Sequence, residues 1–231
     1  MSWKIPRMWE DADVWILGGG PSVPKQFDIP EKVIKSVVSG ASPPNTYSPY
    51  MSFLYDKHVI GINIAYKLGD WIDMCFFGDV SFLPTYKDDF INFPNIKVSC
   101  ADNVKPYDWI KHLPRDPKKG RGISTSNEYV SWNSNSGAAA ISIAAHAGAK
   151  RIMLLGFDMK LGDTANQHWH DVYKRGPCTD ARRIQKLPFA RHLRGFPAIK
   201  QDAQKMGVEI LNVSPTSAIE CFKKVSLKEF L

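Results

Sequence analysis

Several familiar signatures are missing from this chain, and each absence narrows what it can be. There is no Gly-x-x-x-x-Gly-Lys-Ser/Thr, which argues against a P-loop kinase. Gly18–Gly19–Gly20 runs into Pro21–Ser22–Val23 and lacks the Gly-x-Gly-x-x-Gly spacing, which disfavours a dinucleotide dehydrogenase. The four cysteines, Cys75, Cys100, Cys178 and Cys221, contain no Cys-x-x-Cys pair. That disfavours disulfides or a cysteine zinc site and suits a reducing cytosol. No apolar run reaches the length of a membrane span, and the charged stretch from Met1 to Asp13 has no apolar h-region. No internal repeat is present, so a repeat array is not expected. The expectation is a cytoplasmic protein without a membrane span.

What is present points to an α/β fold. The 231 residues, 44% hydrophobic, suffice for one sizeable core. Short runs rich in Val, Ile, Leu and Phe read as strands buried on both faces: Asp13–Leu17, His58–Asn63, Ile72–Phe77, Ile96–Ser99, Arg151–Leu155 and Val208–Val213. Helices are expected at Glu31–Val38, at Ser136–Ala147 capped by Asn135, and at Pro197–Met206, which stops at Gly207. This alternation predicts a Rossmann-like parallel sheet with helices on both faces, in a single domain over residues 1–231. The aromatic excess around Phe76, Phe77, Phe82, Phe90 and Phe93 reads as core and helix packing. Ser39–Tyr50 reads as loop and Lys111–Asn127 as a flexible basic loop. Leu161–Pro197, broken by three prolines, reads as a long basic lid loop.

The formal charge of +7 is concentrated. Between Lys174 and Lys200 stand eight basic residues, Arg175 among them, against one acid, Asp180; this stretch alone equals the whole excess. Lys105–Arg121 is a second basic stretch. Clustered cations suit phosphate groups, whether of a nucleotide or of a nucleic acid; the bland alternative is a solvated loop.

Candidate site residues gather after the strands. Gly18, Gly19, Gly20, Pro21 and Ser22 follow the first, where missing Cβ atoms let a backbone approach a phosphate or ribose. A tight turn is the alternative. Valine at Gly20 is therefore expected to abolish nucleotide binding and leave the fold intact. Ser136 and Gly137 open a helix whose first N–H groups suit an anion. Asn63, Asp79 and Asp158 stand just past three strands, where a shared ligand explains them better than three separate turns. Asp158 could orient a histidine, accept from a ribose or, with Asp79, hold magnesium. His168 and His170 flank Trp169 and point the same way in extended backbone. Either could act as a general base; anion or metal binding are the alternatives.

Together these motifs resemble the superfamily that joins bacterial family-42 sialyltransferases to archaeal 6-hydroxymethylpterin diphosphokinase-like proteins, and a phage or prophage branch with a His-Trp-His segment. The likeness runs from Val14 to about Ile219. It rests on Gly18–Ser22, Asn63, Ser136–Gly137, Gly156–Phe157–Asp158, the histidines and Asn212–Ser217, in that order. The resemblance implies a Rossmann-like transferase. Gly18, Gly20, Pro21 and Ser22 would hold the nucleotide, Asn63 and Ser136–Gly137 its ribose and base, and His168 or His170 would be the base. Gly19 and Asp79 stand where the sialyltransferases have asparagine, and an aspartate there suits a metal-assisted diphosphate. The implied substrate is a nucleotide or nucleotide sugar, used in glycosyl transfer. A magnesium-dependent diphosphotransferase and a nucleic-acid-modifying or nucleic-acid-binding phage protein are the rival expectations.

Overall fold

The computed structural model describes residues 3–174 and 176–231; Arg175, one of the eight clustered cations, and the first two residues of the N-terminal stretch lie outside them. One eight-stranded sheet organises the chain. In chain order its strands are β1 (Asp13–Leu17), β2 (His58–Ile62), β3 (Met74–Phe77), β4 (Ile96–Ser99), β5 (Lys111–His112), β6 (Arg151–Leu155), β7 (Glu209–Asn212) and β8 (Lys223–Lys224). Their spatial order is β5-β4-β3-β2-β1-β6-β7-β8, and every pairing is parallel. The fold is α/β and Rossmann-like, as the strand–helix alternation implies.

The helices are α1 (Val23–Gln26), α2 (Glu31–Val38), α3 (Phe82–Phe90), α4 (Ser136–His146), α5 (Ala181–Gln185), α6 (Phe189–Leu193) and α7 (Phe196–Lys205). Because side chains alternate across a strand, each strand feeds two cores. Val14, Ile16, Ile60, Phe76 and Leu154 pack with the alanines of α4 and with Ile199 of α7. Trp15, Leu17, Val59, Phe77 and Leu155 pack on the other face with Val37 of α2 and Phe82 of α3. Every residue of α4 from Ser136 to Ala145 is buried, so its small side chains let the helix lie close on the sheet.

The differences from expectation have local causes. β2 ends at Ile62, since Asn63 takes a left-handed φ of 54° and starts a 3-10 helix, a conformation asparagine tolerates. β3 starts at Met74; just before it, the carboxylate of Asp73 accepts the Val59 amide at 2.8 Å. Pro44–Leu54 is a 3-10 helix where loop was expected. The Lys111–Asn127 loop is tied down by side-chain carboxylates. Asp116 accepts the amides of Lys118 (2.8 Å) and Lys119 (3.0 Å) and the Ser124 hydroxyl. Asp202 of α7 accepts the Ile123 amide and pairs with Lys119. The expected lid loop carries α5, α6 and the first residues of α7, and in its earlier half Trp169 is buried, 1% exposed.

Candidate functional site

Strand order reverses between β1 and β6. After β5 the chain returns to the far side of β1, and a crevice opens at the carboxyl ends of the two strands. Ligands of open α/β sheets bind at such switch points.

The loops that leave β1 and β6 lie backbone against backbone. Gly18 N donates to Leu155 O and Gly20 N to Gly156 O, both at 2.8 Å. This approach is what the glycines permit. A Cβ on Gly18 would lie 2.7 Å from Gly156 O; one on Gly20 would lie 2.1 Å from Asp158 Oδ2 and 2.5 Å from Gly156 O. Gly156 itself has φ +73°. The expectation that valine at Gly20 spares the fold is therefore corrected: the position is filled by the protein's own atoms.

Asp158 ties the two loops together, Oδ2 accepting the Ser22 amide at 2.9 Å. The residue is 2% exposed, and Oδ1 has no hydrogen-bond partner among the described residues. Burial pushes its carboxyl above the usual carboxylate range, against the lowering effects of Ser22 and Lys160. A carboxyl raised in the folded state costs stability at pH values above its folded pKa, and the cost fades as pH falls to the unfolded value. Asp158→Asn keeps an acceptor for Ser22 and removes the buried charge. It is expected to melt no lower than the parent at pH 7, with any gain shrinking as pH falls through the raised pKa, as a pH series of thermal melts would read. A loss of stability at pH 7 would mean that the charge itself holds the loops.

The Asn212–Ser217 segment braces the same loop from behind. Ser214 Oγ accepts the amides of Gly156 (3.0 Å) and Phe157 (3.2 Å), Ser217 Oγ donates to Phe157 O at 2.6 Å, and Ala218 N donates to Asp158 O. In front, Trp169 Nε1 donates to Gly18 O at 2.9 Å and its amide to Gly19 O, while the Tyr47 hydroxyl donates to Trp169 O. The His168 and His170 rings stack at 5.3 Å and 8°, each edge-on to Tyr173. His170 is buried, and its Nδ1 accepts the Val172 amide.

Two cavities of about 730 Å³ each flank this partition. The first is polar and lies over the ends of β1, β2, β3 and β6. Gly19, Gly20, Asn63, Asp79, Ser136 and Gly137 all line it, with Asp158 and His168. Asn63 Oδ1 is buried without a partner among the described residues. Asn135 Oδ1 accepts the Ala138 amide, which leaves the Ser136 and Gly137 amides of the first turn with no intrahelical acceptor. Pro21, Ser22 and His170 line the second cavity instead. Gly18 lines neither; its amide and carbonyl are spent on Leu155 and Trp169.

The structure shares its fold with solved glycosyltransferases. The MAf glycosyltransferase from Magnetospirillum magneticum AMB-1 superposes with a TM-score of 0.58 at 14% identity, over 98% of this chain. This chain spans only 36% of that protein's length. The sialyltransferase CstII from Campylobacter jejuni, solved with the substrate analogue cytidine-5'-monophosphate, gives 0.52 at 16% identity, covering 94% of this chain and 86% of CstII. No protein-family model and no curated protein matches the sequence.

Several residues of the polar cavity went unremarked as ligand contacts in the sequence, among them Lys160, the pair Arg115 and Trp132, and two more from one helix. Arg115 lies 4.2 Å over the Trp132 ring and donates to Gly78 O at 2.8 Å. The stack forms because Gly78 has no side chain: a Cβ there would fall 2.0 Å from Trp132. The other two, Arg191 and His192, come from α6. Burial, seconded by Arg191, lowers the His192 pKa, with Asp79 opposing. A hint was available in Arg115 and Arg191, which sit in the two basic stretches. The other cations of the Lys105–Arg121 stretch are in part engaged elsewhere, as in the Lys105–Asp102 and Lys119–Asp202 pairs.

Asp79 and Asp158 line the same cavity, yet among the described residues no three His, Cys, Asp or Glu side chains group to hold a metal ion. Two carboxylates, one already bound to an amide, fit only a magnesium carried in on substrate phosphates. No described helix is long and apolar enough to cross a membrane.

Proposed function

We propose that this protein transfers a glycosyl group from a nucleotide sugar to an acceptor hydroxyl, with residues 1–231 acting as one transferase domain and Leu161–Pro197 as its lid. One observation carries the reading. A polar cavity at the switch point is lined at once by the glycine loop, by the amide-rich start of α4, by Asn63, by Lys160, Arg115 and Arg191, and by His168. Glycines and free amides suit a phosphate or ribose, and the three cations offset phosphate charge. The fold likeness to solved glycosyltransferases, CstII with its substrate analogue cytidine-5'-monophosphate among them, is in keeping with it.

In this reading the nucleotide lies along Gly19–Gly20 and Ser136–Gly137, with Asn63 Oδ1 taking a donor from the ribose or base. His168 takes the proton of the acceptor hydroxyl as its oxygen bonds to the anomeric carbon and the bond from that carbon to the phosphate oxygen breaks. The electron pair leaves on the phosphate, where Lys160, Arg115 and Arg191 stabilise it. His170 lines only the neighbouring cavity and supports His168 through the stack. His192 is the alternative base, since its lowered pKa keeps it neutral near pH 7.

A thermal-shift series with CMP, other nucleoside mono- and diphosphates, and nucleotide sugars tests this directly. A nucleotide at a hundred times its Kd is expected to add about 2.7 kcal/mol of apparent stability. A flat response to every nucleotide would end the proposal. Turnover that survives EDTA supports metal-independent glycosyl transfer, and turnover abolished by EDTA favours the diphosphotransferase alternative. Tight, steeply salt-dependent DNA binding with no nucleotide response would favour a nucleic-acid partner.

A further inference from the structure

The transfer reading places the donor in the polar cavity and leaves the second cavity without a role. That cavity lies between α2 and the segment from Asp158 to Tyr173, and its lining is of another kind. Ile34 and Val38, one turn apart on α2, share it with Pro21, Leu161, Pro177 and Pro215. Ile34, Val38 and Leu161 are each only half-buried, so apolar surface from two elements remains open to the cavity. Charged groups of both signs, Lys35, Glu31 and Asp171 among them, stand at the same cavity. Aliphatic side chains and prolines solvate an apolar body and offer nothing to a phosphate.

The two cavities have a common wall. Asp158, Lys160, Gln167, His168 and Tyr173 line both. Within that wall Asp158 Oδ1 is buried and unpartnered among the described residues. A buried acceptor oxygen left bare favours an occupant that brings a hydrogen-bond donor.

We propose that the Ile34–Val38 cavity is the acceptor site, and that it selects a hydroxyl-bearing molecule with an apolar body, of the aryl or alkyl glycoside class. The inference rests on the glycosyl-transfer reading for the word acceptor; the cavity and its selectivity stand on their own geometry. The apolar body packs on α2, and the hydroxyl reaches the common wall. There its proton passes to His168 as its oxygen bonds to the anomeric carbon of the donor and the phosphate leaves.

The test is binding by calorimetry of 4-nitrophenyl β-D-galactoside, of free galactose and of CMP, to the full chain and to Val38→Arg and Ile34→Arg. The aryl glycoside is expected to bind at least about tenfold more tightly than galactose, because only it fills the apolar part. It should bind equally well with CMP present. Each arginine replaces part of the apolar lining with a long charged side chain and is expected to weaken the glycoside about tenfold or more, with CMP affinity unchanged. Two variants are used so that one folded protein suffices. No glycoside binding to the parent, equal binding of galactose, competition by CMP, or indifference to both folded variants would each overturn the assignment. Glycoside binding that is lost in Val38→Arg, in a protein that binds no nucleotide, supports the cavity assignment and ends the glycosyl-transfer reading.

Discussion

Valine at Gly20 is expected to destabilise the whole protein, and any loss of nucleotide binding will follow from that. The Cβ alone would sit 2.1 Å from Asp158 Oδ2 and 2.5 Å from Gly156 O. The carboxylate could turn aside, at the cost of its bond to the Ser22 amide. The Gly156 carbonyl cannot, because it is the acceptor for the Gly20 amide in the contact that joins the loops. Overpacking of this kind costs about 3 kcal/mol or more, which for a chain of this size lowers the melting temperature by roughly 6–12 °C. Alanine at Gly20 is expected to cost nearly as much, since the clash is made by Cβ. Adding Asp158→Ala should relieve only part of it, as the carbonyl remains. Gly19→Ala is the informative contrast. Its Cβ would meet His168 Nδ1 at 2.9 Å, a side chain that can move. That variant is expected to melt close to the parent and to report on the histidine instead. A Gly20→Val protein with an unchanged melting curve would show that the β1 and β6 loops do not need their close approach.

His168→Gln is expected to lower kcat by about 100- to 10,000-fold, the usual contribution of a positioned general base. His168 belongs to the wall between the two cavities, and its partner in the stack does not reach the polar one. Donor affinity, measured as CMP binding, should change little, because the glycine loop, Asn63 and α4 are untouched. His192→Gln is the companion measurement. If it, and not His168→Gln, removes the kcat, the base sits on α6.

Much of the scaffold was readable from the sequence, for physical reasons. A strand buried on both faces writes itself as a run of Val, Ile, Leu and Phe, and β1, β4 and β6 fell at their expected bounds. Expected strand ends failed where a single polar residue redirected the backbone, as at Asn63 and before β3. The edge strands β5 and β8 were missed because two residues carry no period, and Lys111, Lys223 and Lys224 look like loop. α3 was missed because its residues, Phe82–Phe90, read as generic core aromatics, although Phe82 in fact stacks on Phe77 at 4.2 Å. At the site, residues tied to strand ends could be anticipated, since parallel strands deliver their C-termini to one edge. The Arg115–Trp132–Gly78 stack and the side chains of α6 could not. They meet the cavity through tertiary packing that no local pattern encodes. The glycine loop taught the sharper lesson: its sequence suggested room for a ligand, but part of that room belongs to Asp158.

The neighbour relation of β1 and β6 also sets when this protein can come into being. The Arg151–Asp13 ion pair spans 138 residues of chain. At the usual pace of translation, a nascent β1 waits roughly 7–30 s before β6 leaves the ribosome. During that interval β1 can pair with β2, but its other edge is bare, and Val14–Leu17 is among the most apolar segments of the chain. Both halves of the crevice are then still apart, so no ligand of the crevice can assist folding. The hazard falls on the half-made polypeptide, where an open, apolar strand edge invites pairing with the wrong chain. Host chaperones and slow expression should therefore raise the yield of this protein more than any ligand added to the finished molecule.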